Sequence, residues 1–289
     1  MKKTFKPILD FLLFSNVFMS LCAVAQALVT FHLIKSEPDY AVLALLFTST
    51  LGIYNFCILI SKPKQPQASS YLRIRWFFAH YRLMVTFTIV SLLSLVPLFF
   101  LVSAESQLLL IFLSIISFCY GLPMFSLGEQ KFGLRNIPGL KPFLITIVWT
   151  LSTVLLPILE AQEMHINVSM RDTMILIAKR FLFIFALTVP FDIRDLFEDN
   201  KLGVRTIPVI IGEKRAYMFC QILLGGYILL LFIYQKGFNT DFLSLTFTAF
   251  LTGWLIFKSK WEKNEYYYFF YMDGVLILQY VFLVLFKNL

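Results

Sequence analysis

The sequence predicts an all-α, polytopic membrane protein of about nine spanning helices. Two observations carry that prediction. Hydrophobic residues make up 59% of the 289-residue chain and charged residues only 15%, whereas a soluble domain carries about a quarter of its residues as charges; mean hydropathy is +0.78. The apolar residues also fall in runs of about 20, the length that crosses a hydrocarbon core as a helix. The 33 Phe residues suit lipid-facing surfaces and an aromatic-lined interior.

Taken in order, the runs cover residues 11–34, 40–60, 84–102, 107–125, 143–159, 174–190, 215–234, 242–257 and 266–286. The first is too long for the core of a secretory leader and has no small-residue cleavage site, so it reads as a span. Between the second and third runs, residues 71–82 form an amphipathic segment suited to lying on the membrane surface. The two longest loops on one side follow the second and sixth runs, which suggests a duplicated four-helix unit. The whole chain, 1–289, then reads as one transmembrane domain, with halves at 8–134 and 139–257 and a last helix at 265–286.

The net charge of +8 would suit a nucleic-acid partner, but its distribution argues against one. With the N-terminus in the cytoplasm, only Lys35, Arg171, Lys236 and Lys287 fall on the far side. Lys179 and Arg180 lie inside the sixth run, and every other Lys and Arg is cytoplasmic, the positive-inside pattern of a multi-pass protein in the plasma or inner membrane. Cys22, Cys57, Cys119 and Cys220 sit in apolar runs without paired spacing, so neither a disulfide framework nor a zinc site is indicated. His32, His80 and His165 are scattered. The triplet at 167–169 reads as a chance sequon, and the tyrosines at 266, 267, 268 and 271 read as an interfacial aromatic belt.

The sharpest chemical signal is PFDIRDLFEDNKLGVRTIPVIIG at 190–212. Asp192, Asp195 and Asp199 are spaced by three and four, so a helix would set all three carboxylates on one face. That span, about 10 Å at 1.5 Å per residue, suits hard cations and a bridging polyanion; Mg²⁺, which shares its shell with substrate phosphates, is the natural candidate. Solvated acids balanced by Arg194, Lys201 and Arg205 are the plainer alternative. Asp273, in the apolar setting YMDGV, is expected to face the interior and there to orient an acceptor or to pair with Lys131 or Arg135. Lys179 either snorkels outward or finds a partner within the bundle. Asn16 and Gln26 either bridge helices or contact a head group.

Asp192-x-x-Asp195-x-x-x-Asp199 followed by Gly203, Thr206, Pro208 and Gly212 resembles the second motif of the UbiA superfamily of intramembrane prenyltransferases. Tyr120-x-x-Pro123, with Lys131 and Arg135 after it, is similar to the family's Tyr-x-x-Pro and basic element. The resemblance implies a helical bundle around a central cavity, in which Mg²⁺ and two Asp-rich motifs hold an isoprenyl diphosphate. Loss of diphosphate then yields an allylic cation that alkylates an acceptor. Carried over, it implies that Asp192, Asp195 and Asp199 bind metal and that Asn55, Tyr120 and Asp195 act in catalysis. Lys62, Lys131, Arg135, Arg205 and Asp273 would contact substrate. The chain departs from the family at the first motif, where Asn55 stands but the aspartate positions hold Phe56, Leu59 and Pro63; Lys62 and Lys64 would then meet the phosphates directly as point charges.

The function expected is therefore transfer of a polyprenyl group to a lipid or aromatic acceptor with Mg²⁺. The alternative is a non-catalytic isoprenoid- or lipid-binding or scaffold relative, favoured by the missing carboxylates. Ion or lipid transport rests only on Lys179, Arg180 and Asp273. CDP-alcohol phosphotransferases are set aside because their Asp-x-x-Asp-Gly-x-x-Ala-Arg string is absent.

Overall fold

Peptide groups in hydrocarbon must close their hydrogen bonds within the protein, and apolar runs of this length do so as helices. A computed structural model of the chain describes residues 5–121, 125–127, 130–132, 137, 139–196, 206–262 and 264–287. Among the described residues eight helices are long and apolar enough to cross a membrane, and a pair of shorter helices bent by 65° brings the number to nine if it is one broken span. The protein is a multi-pass membrane bundle whose described residues are helical apart from one short two-stranded ribbon.

The bent pair is α1 (Phe5–Phe14) and α2 (Val17–Leu33), where a single span over 11–34 was expected. Asn16 breaks it: its φ of 68° and ψ of 7° lie in the left-handed region, which Asn tolerates better than most residues. α3 (Tyr40–Ile60) begins where the Asp39 carboxylate accepts the amides of Ala41 and Val42 at 2.7 and 3.0 Å. A short helix, α4 (Leu72–Ala79), precedes α5 (Tyr81–Phe99) and α6 (Ala104–Gly121). The fourth span, expected to reach 125, is described as helix as far as Gly121. It leads to a short antiparallel ribbon, β1 (Phe125–Leu127) with β2 (Gln130–Phe132), in which Phe125 faces Phe132.

The fifth crossing is α7 (Leu140–Thr150), a π-helical stretch at Leu151–Leu155, and α8 (Leu156–Glu163). α9 (Met170–Arg194) carries Pro190 inside it and runs four residues past the stop expected at 190. After α10 (Ile207–Ile211) come α11 (Glu213–Gln235), α12 (Thr240–Lys258), a π-helical stretch at Tyr267–Met272 and α13 (Asp273–Lys287).

The most extensive pairings are α9 with α11 and α3 with α5, and α13 packs against both α2 and α12. The end of the bundle away from Asp192 is tied by buried polar groups. Arg180 Nη1 donates to the Gln26 carbonyl at 3.0 Å and to its side-chain oxygen, and Nη2 donates to Thr30 Oγ1 at 3.2 Å. Gln26 Nε2 in turn donates to the Leu276 carbonyl at 2.7 Å and to Gln279 at 3.0 Å. Lys179 stands 5.5 Å over Tyr234 and 6.0 Å over Tyr227. Both cations face inward, and Gln26 is a bridge between helices. Thr30 also donates to the Thr153 carbonyl at 2.6 Å, one of the acceptors that a π-helical stretch frees from its own ladder.

Candidate active site at the motif-bearing end

On the last turn of α9, Asp192 is buried, and its Oδ1 accepts from Lys141 Nζ at 2.8 Å while Oδ2 has no partner. Asp195 is the C-cap of α9. Arg194 clasps it with two parallel bonds, Nε to Oδ1 at 2.8 Å and Nη2 to Oδ2 at 3.0 Å. Asp199 and Arg205 lie outside the described residues, as does Arg135. Lys131 is described only as the β2 residue opposite Ser126. Two carboxylates read from sequence as a metal-binding face thus each hold a cation of the protein. The Arg194 guanidinium rests against Tyr268 at 5.0 Å, Phe191 at 5.4 Å and Phe269 at 5.8 Å, and its Nη1 is buried without a partner.

Across the mouth, Asn55 is fully buried near the end of α3 and accepts from Asn16 Nδ2 at 2.6 Å. Asn16 in turn accepts from Arg73 Nη2. Arg73 comes from α4, which does not simply lie on a surface. The Glu265 carboxylate accepts the amides of Leu72 and Arg73 at 2.5 and 3.0 Å, capping the helix and aiming Arg73 inward. Its guanidinium stands 5.0 Å from the Phe269 ring. Arg73 Nε and Asn55 Nδ2 are buried without partners. Lys62, expected as a phosphate contact, is exposed and stands over Tyr81 at 5.5 Å and Phe78 at 5.7 Å. The cation linked to Asn55 is Arg73, which spacing did not reveal. The one available signal was an arginine on the short, otherwise largely apolar stretch LRIRWFFA.

Asp273 is buried at the start of α13, and among the described residues Arg73 and Arg194 are the cations that act on it; Arg135 and the side chain of Lys131, expected as its partners, lie outside what is described. Burial pushes the Arg73 guanidinium below its usual range, while Tyr54, Asp273 and Glu265 pull it back up. Beside this polar cluster a cavity of about 230 Å³ opens between α3, α6 and α7. Tyr54, Cys57 and Tyr120 line its motif end, and Leu45, Leu110 and Leu156 its far end. Leu45 to Cys57 spans roughly 18 Å at about 1.5 Å per residue. Trp149 Nε1 donates to the Tyr54 hydroxyl at 3.1 Å, so an indole and two phenols sit where the apolar cavity meets the charges.

This donor set can be tested against a hard cation. At the second motif, Asp192 Oδ2 is a buried carboxylate oxygen with no partner, and it fits as an oxygen ligand. At the first motif the fit fails: Asn55, Phe56 and Leu59 offer no carboxylate. Among the described residues no three His, Cys, Asp or Glu side chains stand together as a metal site.

No family model matches the sequence, and no curated protein matches it. Solved structures do. A UbiA homologue from Archaeoglobus fulgidus bound to GPP and Mg²⁺ superimposes with a TM-score of 0.66 at 12% identity, over 97% of this chain and 100% of that one. The chain has the UbiA fold. An apo UbiA homologue from Aeropyrum pernix K1 gives 0.64 at 15% identity, over 94% and 99% of the two chains. A digeranylgeranylglyceryl phosphate synthase gives 0.53 at 16%, over 98% and 99%. The UbiA likeness extends over nearly the whole length, including the helices that carry Asn55, Asp192 and Asp273.

Proposed function

We propose that the protein is an intramembrane prenyltransferase that moves a polyprenyl group from its diphosphate to a lipid or aromatic acceptor. The observation that carries this reading is the junction of an apolar cavity with buried donors left unpaired: Asn55 Nδ2, Arg73 Nε and Arg194 Nη1. An apolar tail fills the first and a diphosphate answers the second. Asp192, with Asp195 and Asp199, would hold Mg²⁺, which when bound neutralises charge on the departing diphosphate. The C1–O bond of the allylic ester breaks with its electron pair leaving on the diphosphate. Tyr54, Tyr120 and Trp149 present π faces to the allylic cation. The acceptor's oxygen or ring carbon then bonds to C1 and its proton passes to Asp273 or to water. Lys141 and Arg194 exchange their carboxylates for phosphate oxygens, and Lys131, Arg135 and Arg205 would add further positive charge to the diphosphate.

The motif-bearing end is read as cytoplasmic, from the one-sided distribution of Lys and Arg. The chain is read as two four-helix halves plus α13; the matching pairings of α3 with α5 and α9 with α11 support this. A second reading, a non-catalytic isoprenoid binder, is favoured by the engagement of both Asp192 and Asp195 with cations of the protein. The two readings part in one assay. Purified protein is incubated with Mg²⁺, labelled polyprenyl diphosphates and membrane lipid extract. Release of diphosphate that is lost in Asp192→Asn and Asp195→Asn supports the enzyme; binding without release supports the second reading.

A further inference from the structure

At the first motif the chain has lost its metal ligands and still holds a buried positive charge. Phe56, Leu59 and Pro63 cannot bind a cation, yet Arg73 is linked to the surviving Asn55 through Asn16. Three features of the fold place this guanidinium. The helix break at Asn16 turns that side chain toward both partners. The Glu265 carboxylate pins the first two amides of α4. The Phe269 ring backs the guanidinium at 5.0 Å, on a π-helical stretch that also brings Tyr268 against Arg194. Among the described residues Arg73 makes no salt bridge within contact distance. A buried guanidinium without a direct counter-ion is costly unless an anion completes it. Two neighbouring donors point to where that anion belongs: Arg73 Nε and Asn55 Nδ2 are both buried and without a partner. A planar guanidinium matches a phosphate bidentately, and it carries its charge without needing carboxylates to hold it.

We propose that Arg73 stands in for a metal ion at the first motif, so that the site grips a diphosphate with this guanidinium and the Asn55 amide on one side and at most one divalent cation on the other. The proposal rests on the prenyl diphosphate reading above and deepens it. Asn16 and Asn55 act as positioning residues for the guanidinium as well as lending a donor. Arg194 lies close enough to lower the affinity of Arg73 for its own proton, and an anion bound between the two cations would relieve that repulsion.

The test counts ions and measures anion binding on the full-length protein in detergent. Mn²⁺ is titrated in the presence of inorganic pyrophosphate and followed by electron paramagnetic resonance; pyrophosphate affinity is measured by calorimetry with Mg²⁺ and with EDTA. At most one Mn²⁺ per chain is expected, together with pyrophosphate binding that weakens in EDTA but persists. Arg73→Gln should then lose about tenfold or more of the EDTA affinity, the scale of one charge-assisted hydrogen bond, and Arg73→Lys should recover part of it. If Arg73→Gln fails to fold, Arg73→Lys and Asn55→Leu carry the same comparison. Two Mn²⁺ per chain, or EDTA binding that is absent or indifferent to Arg73, overturns the proposal while leaving the prenyl diphosphate reading intact. A wild type that binds neither pyrophosphate nor geranyl diphosphate at any Mg²⁺ level overturns both.

Discussion

Asp192 is a buried carboxylate whose neighbouring cation, Lys141, comes from another helix 51 residues away. Removing one partner of such a pair strands the other's charge, which costs about 3–5 kcal/mol. Lys141→Met should therefore lower the thermal unfolding temperature of the detergent-solubilised protein, and Lys141→Met combined with Asp192→Leu should recover much of the loss. An unchanged transition in the single variant would show that the pair does not support the fold. At the opposite end, Arg180→Met leaves the Gln26 side-chain oxygen without its donor. That variant should lose about 1–3 kcal/mol yet bind pyrophosphate as wild type does; a fall in binding would mean that the far-end polar cluster is coupled to the mouth. At this scale Asp192 and Asp195 were legible because i, i+3 spacing is local. Their partners were less so: Arg194 is adjacent in sequence, but Lys141 and Arg73 meet the site only through the packing of α7 and α4.

The break between α1 and α2 is the element on which the first-motif side depends. Asn16 takes a left-handed backbone conformation and spends its side chain on Asn55 and Arg73. Asn16→Gly keeps that backbone accessible, so the fold should survive while the guanidinium loses its tether and pyrophosphate affinity drops. Asn16→Leu adds a left-handed penalty of about 1–2 kcal/mol and should lower thermal stability as well. Equal stability of the two variants would show that the bend does not depend on this residue. α4 offers a parallel case: Glu265→Ala removes the cap on Leu72 and Arg73, about 1 kcal/mol, and should speed hydrogen exchange at those amides without altering α9. Hydropathy located α3, α5 and α11 well, because burial in lipid is a property of a run. The 65° bend and the π-helical stretch at Leu151–Leu155 were illegible, because one turns on the backbone of Asn16 and the other has a carbonyl, that of Thr153, bonded from another helix.

Across the whole molecule, the cavity and the charge cluster meet at Tyr54 and Tyr120, and under the proposed function the depth of the cavity would set how much apolar tail it takes. Ser152 lines it from the π-helical stretch between α7 and α8. Ser152→Phe should weaken binding of geranylgeranyl diphosphate more than that of geranyl diphosphate, in a binding series across chain lengths. Uniform weakening, or none, would place the tail elsewhere.

The sequence alone determined that this chain lives in a membrane as about nine helices, and that one end carries acids and bases in excess. Both follow from local composition, which sets the free energy of a segment in water or in lipid. Tertiary structure decided which group meets each charge: Lys141 meets Asp192, and the side-chain oxygen of Asn16, itself bonded to Asn55, accepts from Arg73. A buried charge is satisfied by whatever is nearest in space, and in a helical bundle the nearest group is usually on another helix.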